Sequence, residues 1–290
     1  FATERAVAID AVLHAIKICQ KVLNNLLTND TVIKKDKSPT TKENSKKLQG
    51  DSEEKIELRD KILTLANSVL DTSLNEKEGT YTGGPHGRMW TIDPVDGTRG
   101  FIRGGYYAVG ISLIIDGDVH LSVIGCPNFP VDFKAPESEK GCIFIAVKGQ
   151  GAFQRKFSSI KETQIHVIDI IHPSEALFCE SFEAEHSSHE DSASIASLLK
   201  ITKPPLRMDS MCKYCAVARG DADIYLRLPP ANFEMPIWVY IIRSRGTVSD
   251  MDNKSLDFTL SRKLKANRGI VVASSKLHEQ IVCAKQHKKE

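Results

Sequence analysis

Apolar residues recur along the chain first with the period of a helix and then with that of strands. Between residues 3 and 26, Val7, Leu13, Ile16, Val22 and Leu23 fall near helical spacing, which predicts an amphipathic helix. The stretch 32–55 is polar and lysine-rich and reads as a loop or solvated surface. Helical periodicity returns over 56–70, and 76–88 is glycine-rich and turn-like. Strands follow. "MWTID" runs into an Asp-Pro-Val-Asp-Gly-Thr block. "YAVGISLII" and "VHLSVIGCP" flank Asp116-Gly117-Asp118, the tip of a hairpin. Residues 141–153 predict a further strand and turn.

The second half alternates more coarsely. A short apolar run covers 176–181, a helix 191–200, and a helix 210–220 that ends on Gly220. A strand over 222–229, another over 268–275 and a closing helix over 276–286 complete the pattern. The whole predicts a mixed α/β architecture with helices layered on sheets. A soft division is expected near residue 155, where "QRKFSSIKETQ" interrupts the apolar pattern. It separates an α+β part, 1–155, from an α/β part, 156–290.

Composition narrows the function classes. The chain has 290 residues and a formal net charge of +2, with no basic stripe or aromatic platform, so a nucleic-acid partner is not expected. No apolar run approaches the roughly 20 residues that span a bilayer. Seven scattered cysteines, odd in number and with no secretory signal in view, predict reduced thiols in the cytosol or nucleus. The chain begins at Phe1 rather than methionine, as a fragment or processed form would.

The candidate chemistry sits in "WTIDPVDGTRGF", residues 90–101. Pro94 fixes φ and lacks an N–H, so it is expected to end the strand's pairing and redirect the chain. Asp93, Asp96 and the carbonyl of Val95 are hard oxygen donors of the kind Mg²⁺ takes. Gly97 permits a tight turn, and the N–H groups after it suit a phosphate. A metal beside a phosphate is the arrangement for metal-assisted phosphoester hydrolysis. A lone Asp-Gly would read as a turn; the six-residue block after an apolar strand favours the metal site.

The stretch 90–117 resembles the second signature of the inositol-monophosphatase-like superfamily of Mg²⁺-dependent, lithium-sensitive phosphatases. "GTRGF" with Gly104, and the stretches "KKDKSPTT", "IGCPN", "AVKGQGAF", "HSSHED", "MDSMCKYCAVARGDADIYLRLP" and "VVASS", resemble its 3'(2'),5'-bisphosphate nucleotidase branch. The resemblance implies alternating helix and sheet layers of the inositol-monophosphatase/sugar-phosphatase type. It implies removal of the 3'-phosphate of adenosine 3',5'-bisphosphate, or of its sulfated relative, in support of sulfate assimilation. A small-molecule nucleotide substrate and a monomer are expected. Asp93, Val95 and Asp96 match metal positions, and Gly97 and Thr98 phosphate positions; Thr98 also matches the residue that positions the attacking water. His186, Ser210, Lys213 and Arg227 match nucleotide-binding positions.

Read alone, several of these have plainer roles. His186 and His189 are spaced like helix neighbours on a surface, Lys213 fits a solvated helix position, and Arg227 a strand-end cap. Cys212 and Cys215 form a single C-x-x-C, read as ordinary helix positions with one of them buried. "KGQGAF" is too short for a nucleotide fingerprint.

Two stretches depart from the family pattern. "SPTT" runs straight into "KENSKKLQG", where the family has a helix and a Gly-Glu-Glu motif; Glu43 matches the second glutamate and Lys42 stands in place of the first. "PIWVYIIRSRG" passes from Trp238 to Val239, where the family has Ile-Trp-Asp-His-Ala-Ala-Gly. Both read as deletions, with seams at Thr41/Lys42 and Trp238/Val239. They remove carboxylates expected to hold a second metal and to activate water. A nucleotide-binding pseudoenzyme is therefore the alternative to an active phosphatase, and a phosphatase of inositol phosphates a third reading.

Overall fold

The computed structural model describes residues 1–29, 84–135, 137–182, 188–228, 245–259, 264 and 266–287. It opens with helix α1, Ala2–Asn29. Six strands follow: β1 (Arg88–Asp96), β2 (Ala108–Ile115), β3 (Asp118–Pro130), β4 (Lys140–Val147), β5 (Gly151–Lys156) and β6 (Thr163–Ile165), with the short helix α2 (Thr98–Ile102) after β1. They form one antiparallel sheet in sequence order. The expected hairpin turns on Asp116 and Gly117, both at positive φ (50° and 74°), the geometry that matches strand twist in a two-residue loop.

The second sheet is built from β7 (Phe178–Glu180), β8 (Leu206–Arg207), β9 (Ile224–Arg227), β10 (Gly246–Ser249) and β11 (Ile270–Ser274), in the order β10-β11-β9-β7-β8. Here β7 runs parallel to β8 and β9, and the other pairings are antiparallel. Helices α3 (His189–Leu198), α4 (Cys212–Arg219) and α5 (Ser275–His287) accompany it.

Strand alternation sorts these elements into layers. Along β4, Ile143, Ile145 and Val147 face α1, packing with Val12, Ile16 and Cys19. The intervening Cys142, Phe144 and Ala146 face the other way, toward α4. On the second sheet, Tyr225 and Val272 face α4, whereas Ile224, Leu226 and Val271 face Ile195 of α3 and Leu277 of α5. The result is helix, sheet, helix, sheet, helix. The periods of 2 and 3.6 in the sequence are the cause, because each sheet must cover two apolar faces. Helix α4 lies in the middle layer, and Cys212 through Ala218 are all buried.

Candidate active site

The candidate site begins with an irregularity in β1, an edge strand. Asp93 pairs with Gly110 and Asp96 with Ala108, so the register shifts between them. Pro94 therefore interrupts the pairing and does not end it as expected: the missing N–H makes a bulge, and the ladder resumes at Asp96. Bulges re-aim side chains at sheet edges, and this one falls between the two candidate carboxylates. Within it, the Asp93 carboxylate oxygen Oδ1 accepts the Val95 N–H at 3.2 Å. From below, the Cys19 thiol of α1 donates to the carbonyl oxygen of Pro94 at 3.8 Å.

Gly97 then turns the chain with φ 80° and ψ 47°. A Cβ there would stand 2.7 Å from Cβ of Ser210, so glycine is required both by conformation and by approach. That approach brings in the second stretch, 208–213. Ser210 has φ 64°. Its Oγ accepts the Cys212 N–H at 3.2 Å, at the start of α4. Asp96 Oδ2 accepts the N–H of Met211, tying the β1 bulge to that same start. Beside it, Arg103, just after α2, donates to Asp209 Oδ2 at 2.6 Å. Its guanidinium carbon lies 5.7 Å from the centre of the Phe182 ring.

Lys213 is not solvated, as its plain reading would have it, but 5 % exposed. Its Nζ donates to the carbonyl of Met208 at 3.3 Å and sits 5.5 Å from the centre of the Tyr225 ring. Burial pushes the Lys213 pKa down; Asp96 and Cys179 pull it up, and Arg227 adds to the fall. Arg227, at the end of β9, shows the opposite outcome. Burial works against its charge, but Tyr225, Tyr214 and Asp96 outweigh that and hold its pKa above the ordinary value. Asp96 thus faces the buried ammonium of Lys213 on α4 and the half-buried guanidinium of Arg227 on β9.

The structure thereby brings Asp93, Val95, Asp96, Gly97 and Thr98 together with Ser210, Lys213 and Arg227. Glu43, His186 and both seams, Thr41/Lys42 and Trp238/Val239, lie outside the described residues. His189 opens α3, its Nε2 3.0 Å from the carbonyl of Ser181. Asp209, Arg103, Tyr225 and Cys19 were missed by the sequence reading, although Arg103 and Asp209 both lie inside the motif stretches. Cys212 and Cys215 are both fully buried, where one was expected. Burial pushes both thiols up, so they are inert core positions.

Two carboxylates and a carbonyl suit a hard cation such as Mg²⁺ in kind. Among the described residues they are the whole set: no three His, Cys, Asp or Glu side chains come together there as a metal-binding group.

The Inositol monophosphatase family matches residues 3–290. The chain belongs to this family. A 3'(2'),5'-bisphosphate nucleotidase from Schizosaccharomyces pombe is 44% identical over 215 residues, covering 71% of the chain and 61% of that protein. A 3'(2'),5'-bisphosphate nucleotidase from Oryza sativa is 32% identical, covering 99% of the chain and 94% of that protein. That match runs over 339 positions against the 290 residues of the chain, so at least 49 positions have no counterpart here. The solved inositol monophosphatase from Anabaena (Nostoc) sp. PCC 7120 shares the fold, with a TM-score of 0.63 at 19% identity, covering 99% of the chain and 96% of that protein. The layered α/β architecture read from the sequence is thus the architecture of the family.

Proposed function

We propose that the chain is a phosphatase of the bisphosphate nucleotidase type, taking the 3'-phosphate from adenosine 3',5'-bisphosphate and leaving AMP. The observation that carries this is the junction of Asp96 with the start of α4. It sets a hard-oxygen turn beside a buried lysine and a half-buried arginine, the charges a nucleotide phosphate needs. The names of the two relatives support the same substrate class.

In this reading Asp93, Asp96 and the Val95 carbonyl would hold Mg²⁺, which when bound polarises the phosphoryl oxygens and lowers the pKa of a bound water. The remaining roles belong to the protein. Thr98 orients the attacking water, and the backbone at Gly97 and Thr98 receives the phosphate undergoing attack. Lys213 and Arg227 neutralise the nucleotide, Ser210 hydrogen-bonds to it, and His186 completes the set. Phosphate release from adenosine 3',5'-bisphosphate, measured with and without Mg²⁺, tests the reading. Mg²⁺-dependent release supports it, and no release at high enzyme and metal sinks it.

A second reading is favoured by a specific observation. The positions without counterpart fit a chain that binds nucleotide without turning it over. Calorimetric binding of the nucleotide with no phosphate release selects that reading.

A further inference from the structure

We propose that Cys19 is a positioning residue for the candidate cation-binding turn: its thiol, on α1, locks the Pro94–Val95 peptide so that Asp93 and the Val95 carbonyl stay presented together. The inference rests on the reading of Asp93, Val95 and Asp96 as ligands.

The Pro94 carbonyl and the Val95 N–H are the two ends of one planar peptide unit. Cys19 Sγ donates to the first at 3.8 Å, and Asp93 Oδ1 accepts from the second at 3.2 Å. A plane held at both ends cannot swing about the line joining its Cα atoms. That fixes ψ of Pro94 and φ of Val95, and the proline ring already fixes φ of Pro94. Only ψ of Val95 is then left to aim the Val95 carbonyl. The next residue, Asp96, is anchored in turn by its pairing with Ala108 and by the Met211 N–H. A bulge with a proline and no such pin could flip this peptide and turn the Pro94 carbonyl toward the carboxylates.

The donor is permanent. Cys19 is fully buried, and burial pushes its thiol up to about 12, so the S–H persists at any working pH. It reaches the turn from α1, whose apolar face packs on the first sheet, so the helix that covers the sheet also sets the turn.

The test compares the full chain with Cys19→Ser and Cys19→Ala, reading Mg²⁺ affinity by calorimetry and Val95 amide hydrogen exchange by NMR. Serine keeps a donor on the same stem; alanine keeps the site apolar and removes it. If Cys19 only fills space, alanine outperforms serine, because a buried hydroxyl without a partner is costly. If it pins the peptide, serine outperforms alanine. We expect Cys19→Ala to weaken Mg²⁺ binding and speed Val95 exchange by about three- to ten-fold each, the scale of one lost hydrogen bond, with Cys19→Ser between it and the parent. Val95 exchange unchanged in Cys19→Ala, or serine worse than alanine, overturns the proposal. Should the parent chain take up no Mg²⁺, the ligand reading fails on that result alone, and the exchange ranking still decides the pin.

Discussion

The carboxylate of Asp96 accepts the backbone N–H of Met211, 115 residues further along the chain. One short side chain thereby joins the edge of the first sheet to the start of the central helix. The same carboxylate faces Lys213 and Arg227, so it serves the fold and the charge balance at once.

These two services separate in Asp96→Asn. An amide oxygen can still accept from Met211, so the fold is expected to persist, with a melting temperature within a few degrees of the parent. The negative charge is gone, and phosphate release is expected to fall on the order of 100-fold or more. A melt beside a phosphate-release assay reads both.

Gly97→Ala has the opposite signature. The new Cβ meets Ser210 in a backbone conformation that L side chains rarely adopt. A loss of about 1–3 kcal/mol is expected from the left-handed conformation, with more from the clash. Urea unfolding measures it, as a lower midpoint at unchanged slope.

Lys213 gives the nucleotide affinity a pH dependence. Its folded pKa lies below the ordinary value of 10.5, so the ammonium is lost earlier than in a free lysine as pH rises. Affinity for the nucleotide is expected to decline on the alkaline side, beginning below 10.5. In Lys213→Arg, which stays charged, that decline is expected to vanish. Calorimetric titrations at stepped pH follow it.

His278 gives stability a pH dependence of its own. It is 2 % exposed, 2.8 Å from Ser249 Oγ, and burial pushes its pKa below 6.5 while Glu279 pulls it up. The unfolded chain therefore binds the proton more readily. The stability is fully present above about 6.5 and is lost as pH falls toward the folded value. Melts from pH 8 downward are expected to show this slope, and His278→Gln to flatten it.

Where the sequence was legible, a period was long enough to read. Strands β2, β3 and β4 each run eight residues or more, and their alternation shows directly in which residues face α1 and which face α4. Strands β6, β8 and β10, of three, two and four residues, are too short to carry a period, and the reading passed over them. Helix α4 was found through its apolar run and Gly220, but its surroundings were not. A helix between two sheets has no polar face, and Lys213 looks solvated only until both sheets are placed. The site was legible in part for a similar reason. Asp93, Asp96 and Gly97 are contiguous, whereas Arg103 with Asp209, and Cys19 with Pro94, are joined only by folding.

The burial of α4 on every side has a consequence for how this chain can change. Lys213 is the only charged residue among its buried positions, and only 5 % of it is exposed. A ligand phosphate reaching that ammonium would improve its surroundings, so the bound chain should melt higher than the free one. Replacing the lysine by methionine should likewise raise the melting temperature of the free chain while abolishing that gain. Robustness and recognition pull in opposite directions at a single position, and drift toward a sturdier middle layer would silence the protein before it unfolded it.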